Sequence, residues 1–501
     1  MMKLYPRLLC VLAACLLSAP VSAAPQGHAA APIVNGNLEG NLPSVVAVFV
    51  DSELCTGTLI GCQTVLTAAH CICSDQLTGS ACAQTPGLLD PSRVAVFSQH
   101  AGVLDVASVA VHPDYHFQVR GDLAILRLAT PVAGIAPTPL NLTGRVAPGV
   151  QGVIAGFGRS SRTADDFGLK RSGRVTTAAC THAPAATHLC WNFEAPIGPV
   201  GLDSTACQGD SGGPLLVETG GVARLAGVTS GDEPGTCAPP DQVFAADVYV
   251  DRAWILERAG ADATATSCGT LPPAGSAEAP VVAVNGDLAR TDSGDRHVLQ
   301  VPPGADLLRV ALNGDFGTAN ANFQLYVKPG APPTPEDFLC ESEMPGPYEF
   351  CELPSPVAGE WHVLVHRQGG SGAYQLTATT FGVSSSSCVP DATTLCLNNG
   401  RFRVRATWRL RNGQSGAGNM IPLTSDTGYF WFFDPANVEV VVKVLNACAR
   451  GNYWVFASGL TNVQVTLTVT DTQSGVTRTY QNPQGTPFQP IQDTGAFPTC
   501  P

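Results

Sequence analysis

Cys207-Gln208-Gly209-Asp210-Ser211-Gly212-Gly213-Pro214 sets one serine among three glycines. Glycine lets a backbone turn sharply and come close to a ligand. With 52 glycines in the chain, a glycine-rich loop alone has an ordinary reading as a surface turn. A nucleophilic serine needs more: a base, a group that orients the base, donors for an oxyanion and a pocket for a side chain. The remaining sequence is read for these.

The chain has 501 residues, enough for two to four domains. Apolar residues make up 45 %, ample for packed cores, and charged residues only 13 %. Gly and Pro are frequent, at 52 and 40, which suits short strands and many turns. The net charge of −13 leaves no basic footprint for nucleic acid, and none is expected as a partner.

Lys3 and Arg7, the apolar run Leu8 to Leu17 and the small residues Ala19 to Ala24 read as an export signal over 1–24. The run is too short to span a bilayer, and no later stretch qualifies. Leu12-Ala13-Ala14-Cys15 also looks like a lipoprotein box, so lipid attachment at Cys15 is the minor alternative to a secreted, extracellular protein. Of 18 cysteines, Cys10 and Cys15 lie in the signal, leaving an even 16. Paired cysteines in an exported chain form disulfides, and no Cys-x-x-Cys pair supports a metal site. No metal and no cofactor are expected.

Residues 25–32 form a short propeptide or linker before Ile33-Val34-Asn35-Gly36. Strand-like runs follow at Val45 to Val50, Thr58 to Ile60, Val65 to Thr67, Leu123 to Leu128, Val150 to Ala155, Leu215 to Val217 and Leu225 to Thr229. The first convincing helix is Val248 to Arg258, with Val250, Trp254 and Ile255 at helical spacing and a stop at Ala259-Gly260. Leu271 to Ser276 is a linker, and Ser384 to Ser387 separates two further β-rich units, 279–382 and 388–501.

Leu66-Thr67-Ala68-Ala69-His70-Cys71 ends a strand-like run with a histidine beside a cysteine that can lock it in place. A lone histidine is more often structural. Asp122 opens the apolar run Leu123-Ala124-Ile125-Leu126, where an unpaired charge is costly, so a partner such as an imidazole N–H is expected. The plainer reading is that Asp122 caps a turn after Gly121.

Together Ile33-Val34-Asn35-Gly36, Thr67-Ala68-Ala69-His70-Cys71, Asp122-Leu123-Ala124-Ile125-Leu126 and Gly209-Asp210-Ser211-Gly212-Gly213-Pro214 resemble the chymotrypsin/trypsin-like serine endopeptidases. Their order, His, Asp, Ser, is that of this fold. The resemblance covers about 33–260, within an expected protease domain at 33–268. It implies a mostly β fold, a double six-stranded antiparallel β-barrel with a C-terminal helix. It implies hydrolysis of protein or peptide substrates through an acyl-enzyme. Ser211 would attack, His70 would act as base, and Asp122 would orient it. Gly209 and Ser211 N–H groups would form the oxyanion hole, and Ser230 would support the aspartate. Asp210 would pair with the amine of Ile33 once cleavage exposes it, making cleavage a zymogen switch. The departure is Pro32 before Ile33, with no Lys or Arg between 24 and 32, so tryptic activation is not expected.

By spacing, the pocket floor is Thr205 followed by Ala206, with Gly231 and Gln242 on its walls. No acid stands at the floor, so a small or uncharged side chain is the expectation. Asp203 and Asp241 are acids that a loop shift would bring inward. The resemblance implies disulfides Cys55–Cys71, Cys180–Cys190 and Cys207–Cys237. Cys62, Cys73, Cys82 and Cys268 stay open, with one of the first three a partner for Cys268.

Gly294-Asp295-Arg296-His297-Val298-Leu299, Val301-Pro302-Pro303-Gly304, Phe323-Gln324-Leu325-Tyr326-Val327-Lys328 and Gly359-Glu360-Trp361-His362-Val363-Leu364-Val365 resemble the bacterial pre-peptidase C-terminal domain. That implies a β-sandwich appended to secreted peptidases and often removed in maturation. A staple Cys340–Cys351 is expected. The unit from Cys388 resembles small β domains of bacterial extracellular proteins, with staples Cys388–Cys396 and Cys448–Cys500. Its run Tyr429-Phe430-Trp431-Phe432-Phe433 is read as core and sandwich edge, with a glycan-stacking or cell-surface platform as the alternative. The chain is expected to act as a monomer. The competing reading is a catalytically silent adhesion or targeting protein on a protease scaffold.

Overall fold

The computed structural model describes residues 33–500 except 52, 74–78, 83–87, 165, 195–199, 277, 317–319, 383–387, 389 and 474–475. The expected export signal, the linker 25–32, Cys15 and the serine run lie outside these.

The apolar runs pair into two closed barrels. The first takes strands Val45–Val50, Glu53–Leu59, Thr64–Thr67, Ala124–Leu128, Gly102–Val111 and Val94–Ser98 in ring order. The second takes Arg171–Ala178, His188–Phe193, Asp241–Asp247, Val222–Glu233, Pro214–Thr219 and Gln151–Gly156, with Gln151–Gly156 closing back on Arg171–Ala178. Closure leaves few open edges, and inward side chains such as Val46, Val48, Leu66 and Leu126 are fully buried. Ile33 packs into the second core with Ile154, Trp191 and Ala206.

The helix spans Arg252–Ala259 and seats Trp254 and Ile255 on the first barrel's core. It starts later than the expected Val248, because Val250 and Asp251 N–H groups both turn back to Asp247 O.

Two β units follow. Val281–Leu288, Gly372–Phe381, Leu307–Gly314 and Glu349–Pro354 form one sheet of the middle unit, and Gly294–Val301, Gly359–Gly369, Asn322–Pro329 and Cys340–Ser342 the other. The last unit holds two five-stranded sheets. There Gln464–Asp471 alternates half-buried and buried residues, the period-two pattern of its sequence. Phe430 and Phe432 are core, while Phe433 is exposed.

The middle unit is docked onto the barrels. Ala311 and Tyr348 join a buried cluster with Val45, Ala47, Leu54, Phe97, Ala155 and Phe157. Buried polar groups are matched across it. Gln99 Nε2 donates to Asn313 Oδ1 (2.8 Å), and Lys170 N to Gln375 Oε1 (2.6 Å). Arg309 Nη1 donates to His100 O and Ala133 O, both at 2.7 Å. Buried polar groups need such partners, so this contact specifies one mutual arrangement.

Eight disulfides join described residues: Cys55–Cys71, Cys62–Cys268, Cys73–Cys82, Cys180–Cys190, Cys207–Cys237, Cys340–Cys351, Cys388–Cys396 and Cys448–Cys500. They belong to an oxidising compartment. No helix among the described residues is long and apolar enough to cross a membrane.

Candidate active site

Strand pairing brings the histidine and the aspartate together. Thr67 is the register partner of Ala124, so the end of one strand lies beside the start of the other. His70 follows the first and Asp122 precedes the second. Ala69–Cys71 forms a short 3-10 turn on fully buried Ala68 and Ala69, pinned by Cys55–Cys71. His70 Nδ1 lies 2.7 Å from Asp122 Oδ2, and His70 N donates to Asp122 Oδ1 at 2.9 Å. Ser230 Oγ donates to Asp122 Oδ2 at 2.5 Å. Ser230 sits where the register shifts between Thr229 and Gly231, a bulge that re-aims a side chain.

The Asp122 side chain is fully buried, while that of His70 is 24 % exposed. Burial pushes the Asp122 carboxyl up, but the His70 charge and the hydrogen bonds of His70 and Ser230 outweigh it and hold it below its ordinary value. Burial likewise disfavours the imidazolium, and Asp122 outweighs that, so His70 is raised above 6.5. The sulfurs of Cys55 and Cys71 near His70 are bonded to each other, so they offer no thiolate to a metal.

Ser211 lies across the cleft. Thr56 N donates to Ser211 O (2.8 Å), and Gly212 N to Thr229 O (2.8 Å), tying the serine loop to both barrels. Gly209 has φ +95°, and a Cβ there would meet Gly158 Cα at 2.7 Å. Among the described hydrogen bonds neither Gly209 N–H nor Ser211 N–H has a protein acceptor. The loop thus presents two free donors beside the hydroxyl.

On one side of Ser211 and His70 a cleft of about 170 Å³ is lined by Ala206, Cys207, Gln208, Ser230, Gly231, Asp232, Val243, Phe117 and Gln118. Ala206 and Gly231 both line it. Thr205 is fully buried behind, its backbone bridged to Val34. Gln242 is not a wall. Its amide turns to Thr181 N, Ala179 O and Asn192 Oδ1, because neighbouring residues of a strand face opposite ways. Val243 faces the cleft instead. Asp232, opposite Val243 in register, is the acid that spacing missed. It shares a face with Ser230 at i+2, a signal present in the sequence. Burial first, and then the neighbouring Asp232 carboxyl, push Asp241 up to about 7. Asp203 is not among the residues lining this cleft.

The Asp210 carboxylate accepts Gly158 N–H (2.8 Å) and Cys207 N–H (2.9 Å). Ile33 is buried, and its nitrogen, bonded to Pro32, is a peptide amide with no charge to offer Asp210.

Two six-stranded antiparallel barrels meeting at this serine, histidine and aspartate define a serine endopeptidase. A model of the trypsin family matches residues 35–255. The chain is 30 % identical to the serine protease SP24D of Anopheles gambiae over 40 % of its own length and 71 % of that protein. It is 32 % identical to the fibrinolytic enzyme isozyme C of Lumbricus rubellus over 38 % of itself and 81 % of that protein. It is 30 % identical to the tryptase of Mus musculus over 38 % and 72 %. The chain belongs to the trypsin family of serine proteases.

Proposed function

We propose that this protein is a secreted endopeptidase in which Ser211 is the nucleophile, His70 its general base and Asp122 the group that fixes the His70 tautomer. The observation that carries it is the chain of contacts Ser230–Asp122–His70, ending beside Ser211 and two free N–H donors. His70 takes the Ser211 proton as Oγ bonds to the scissile carbonyl carbon. The resulting oxyanion accepts Gly209 and Ser211 N–H. The C–N bond breaks as His70 returns the proton to the leaving amine, and water then releases the acyl group by the same steps. Exposure of the Ile33 amine supplies the cation for buried Asp210 and completes the serine loop. A fluorophosphonate probe should label secreted protein with a free Ile33 terminus, and the label should vanish in Ser211→Ala. Absence of Ser211-dependent labelling would refute the assignment.

Asp232 lines the acyl-side pocket, and the Asp241 carboxyl adjoins that of Asp232. Asp232 Oδ2 and Asp241 Oδ1 are buried with no hydrogen-bond partner among the described residues. Below about pH 7 Asp241 keeps its proton, and uncharged side chains suit the slot beside Val243 and Ala206. Above that the Asp241 charge develops, and a cationic side chain gains. The kcat/KM ratio for cleavage after Lys over Ala should rise about tenfold from pH 6 to 8, the size of one added charge contact. Asp241→Asn should flatten the rise. An unchanged slope in that variant sinks the role of the pair.

A further inference from the structure

On the other side of Ser211 lies a second cleft, of about 430 Å³, lined by Glu53, Leu54, Cys55, His70, Arg159, Phe167, Gln208, Gly209 and Ser211. Since Ser230 and Asp232 mark the acyl side, this cleft receives the chain leaving after the scissile bond. Its floor is apolar, formed by Leu54, the Cys55–Cys71 bridge and the Phe167 ring, with Glu53 and Arg159 as its charged members.

Phe167 is held from behind by the middle β unit. Phe316 N donates to Phe167 O at 2.8 Å, and the two rings meet edge-on with centroids 5.7 Å apart. Phe316 in turn packs on Phe49 (5.3 Å). Asn313 Nδ2 and Tyr348 Oη both donate to Gly168 O, at 2.9 and 3.0 Å. Gly168 has φ +111°, and a Cβ there would lie 2.3 Å from Gly314 O and 2.7 Å from Tyr348 Oη. Only glycine lets the two backbones approach this closely. From Phe167 the contacts run back to the serine loop. The Arg159 guanidinium lies 5.1 Å over the Phe167 ring, Arg159 N donates to Gln208 O (2.8 Å), and Gly158 N to Asp210 Oδ1.

We propose that the middle β unit is part of the substrate site: through Phe316 and its seat on Gly168 it positions Phe167 as the wall of the leaving-group cleft, which selects a large apolar residue just after the scissile bond. This rests on Ser211 as the nucleophile, and the unit is retained on the working enzyme. Phe316 touches no substrate. It is a positioning residue that acts through Phe167.

The test uses the processed full chain and two substrate types. One is a peptide set varying only the residue after the scissile bond, Leu or Phe against Ser. The other is a peptidyl methyl ester, whose methanol leaving group is too small to reach the Phe167 wall. Phe316→Ala should cut the Leu/Ser and Phe/Ser preference in kcat/KM about tenfold, the effect of one weakened apolar contact. Methyl ester hydrolysis, read as kcat/KM, should stay within about twofold, showing that the triad and fold persist. Gly168→Ala, which forces the two backbones apart, should do the same, and Phe316→Tyr should restore the preference. Parallel loss on both substrates assigns the unit a stabilising role only and overturns the proposal. So does an unchanged preference in both variants. Failure of the nucleophile assignment is separate, because it removes fluorophosphonate labelling of the unmutated enzyme.

Discussion

Ser211→Ala and His70→Ala should each lower kcat about a millionfold, and the double variant should lower it no further. The non-additivity follows from the geometry. His70 has no proton to take without the serine, and the serine has no acceptor without the histidine. Asp122→Asn should cost about 10⁴-fold while leaving the fold intact. An amide at that position donates to Nδ1, leaving the proton on Nε2, and the ring then faces Ser211 with a donor where an acceptor is needed. The pH profile gives an independent readout. The base works only when neutral, and Asp122 raises His70 above its ordinary 6.5. Activity should therefore climb through an acid limb centred above pH 6.5, and Asp122→Asn should move that limb down. Additive losses, or an acid limb indifferent to Asp122, would show that the three side chains do not act as a unit.

What the sequence made legible depended on how local the cause was. His70, Asp122 and Ser211 each sit next to a run that fixes its own backbone: a β-strand end locked by Cys71, the start of a buried strand, and a glycine turn. Apolar runs mark seven of the twelve barrel strands for the same reason, but not Val94–Ser98, Gly102–Val111, Arg171–Ala178, His188–Phe193 or Asp241–Asp247. The pocket walls were less legible. Whether Gln242 or Val243 faces the cleft depends on the pairing of Asp241–Asp247 with Val222–Glu233, and a shift of one residue exchanges the faces. The assignment of Gln242 failed on that parity. The leaving-group cleft was least legible. Phe167 and Phe316 are far apart in sequence and have no local pattern that links them. Gly168 carried the only trace, one glycine among 52 whose need for a missing Cβ appears when Gly314 lies against it.

The proposed link between Asp210 and processing should be readable as stability against pH. The carboxyl is 1 % exposed. Burial is the largest influence and pushes it up to about 7, against the pull of Cys207 and Gly158 N–H and the Arg171 charge, with Asp166 adding repulsion. In the unfolded chain an aspartate titrates near its ordinary 3.8. The folded, uncut protein therefore holds its proton more tightly. Its stability should fall as pH rises from about 4 to 7 and level off above, by at most about 4 kcal/mol for three pKa units. Asp241 and Glu349, both pushed up to about 7, tilt the curve the same way, so the Asp210 share must be read as a difference from Asp210→Asn. In a Ser211→Ala background, which prevents self-cleavage, the uncut protein should lose stability to urea relative to Asp210→Asn between pH 4.5 and 7.5. Once the bond before Ile33 is cut, the new amine brings a positive charge to the buried carboxylate, which lowers its pKa and makes it an acceptor for an ion pair. The difference should then change sign: the cut protein with Asp210 should be the more stable at pH 7.5, and Asp210→Asn should lose about 3–5 kcal/mol, the cost of leaving one partner of a buried pair alone. Equal pH slopes in cut and uncut protein would mean that Asp210 never meets the Ile33 amine, and that the loop is ordered by Arg171 and the two backbone donors alone.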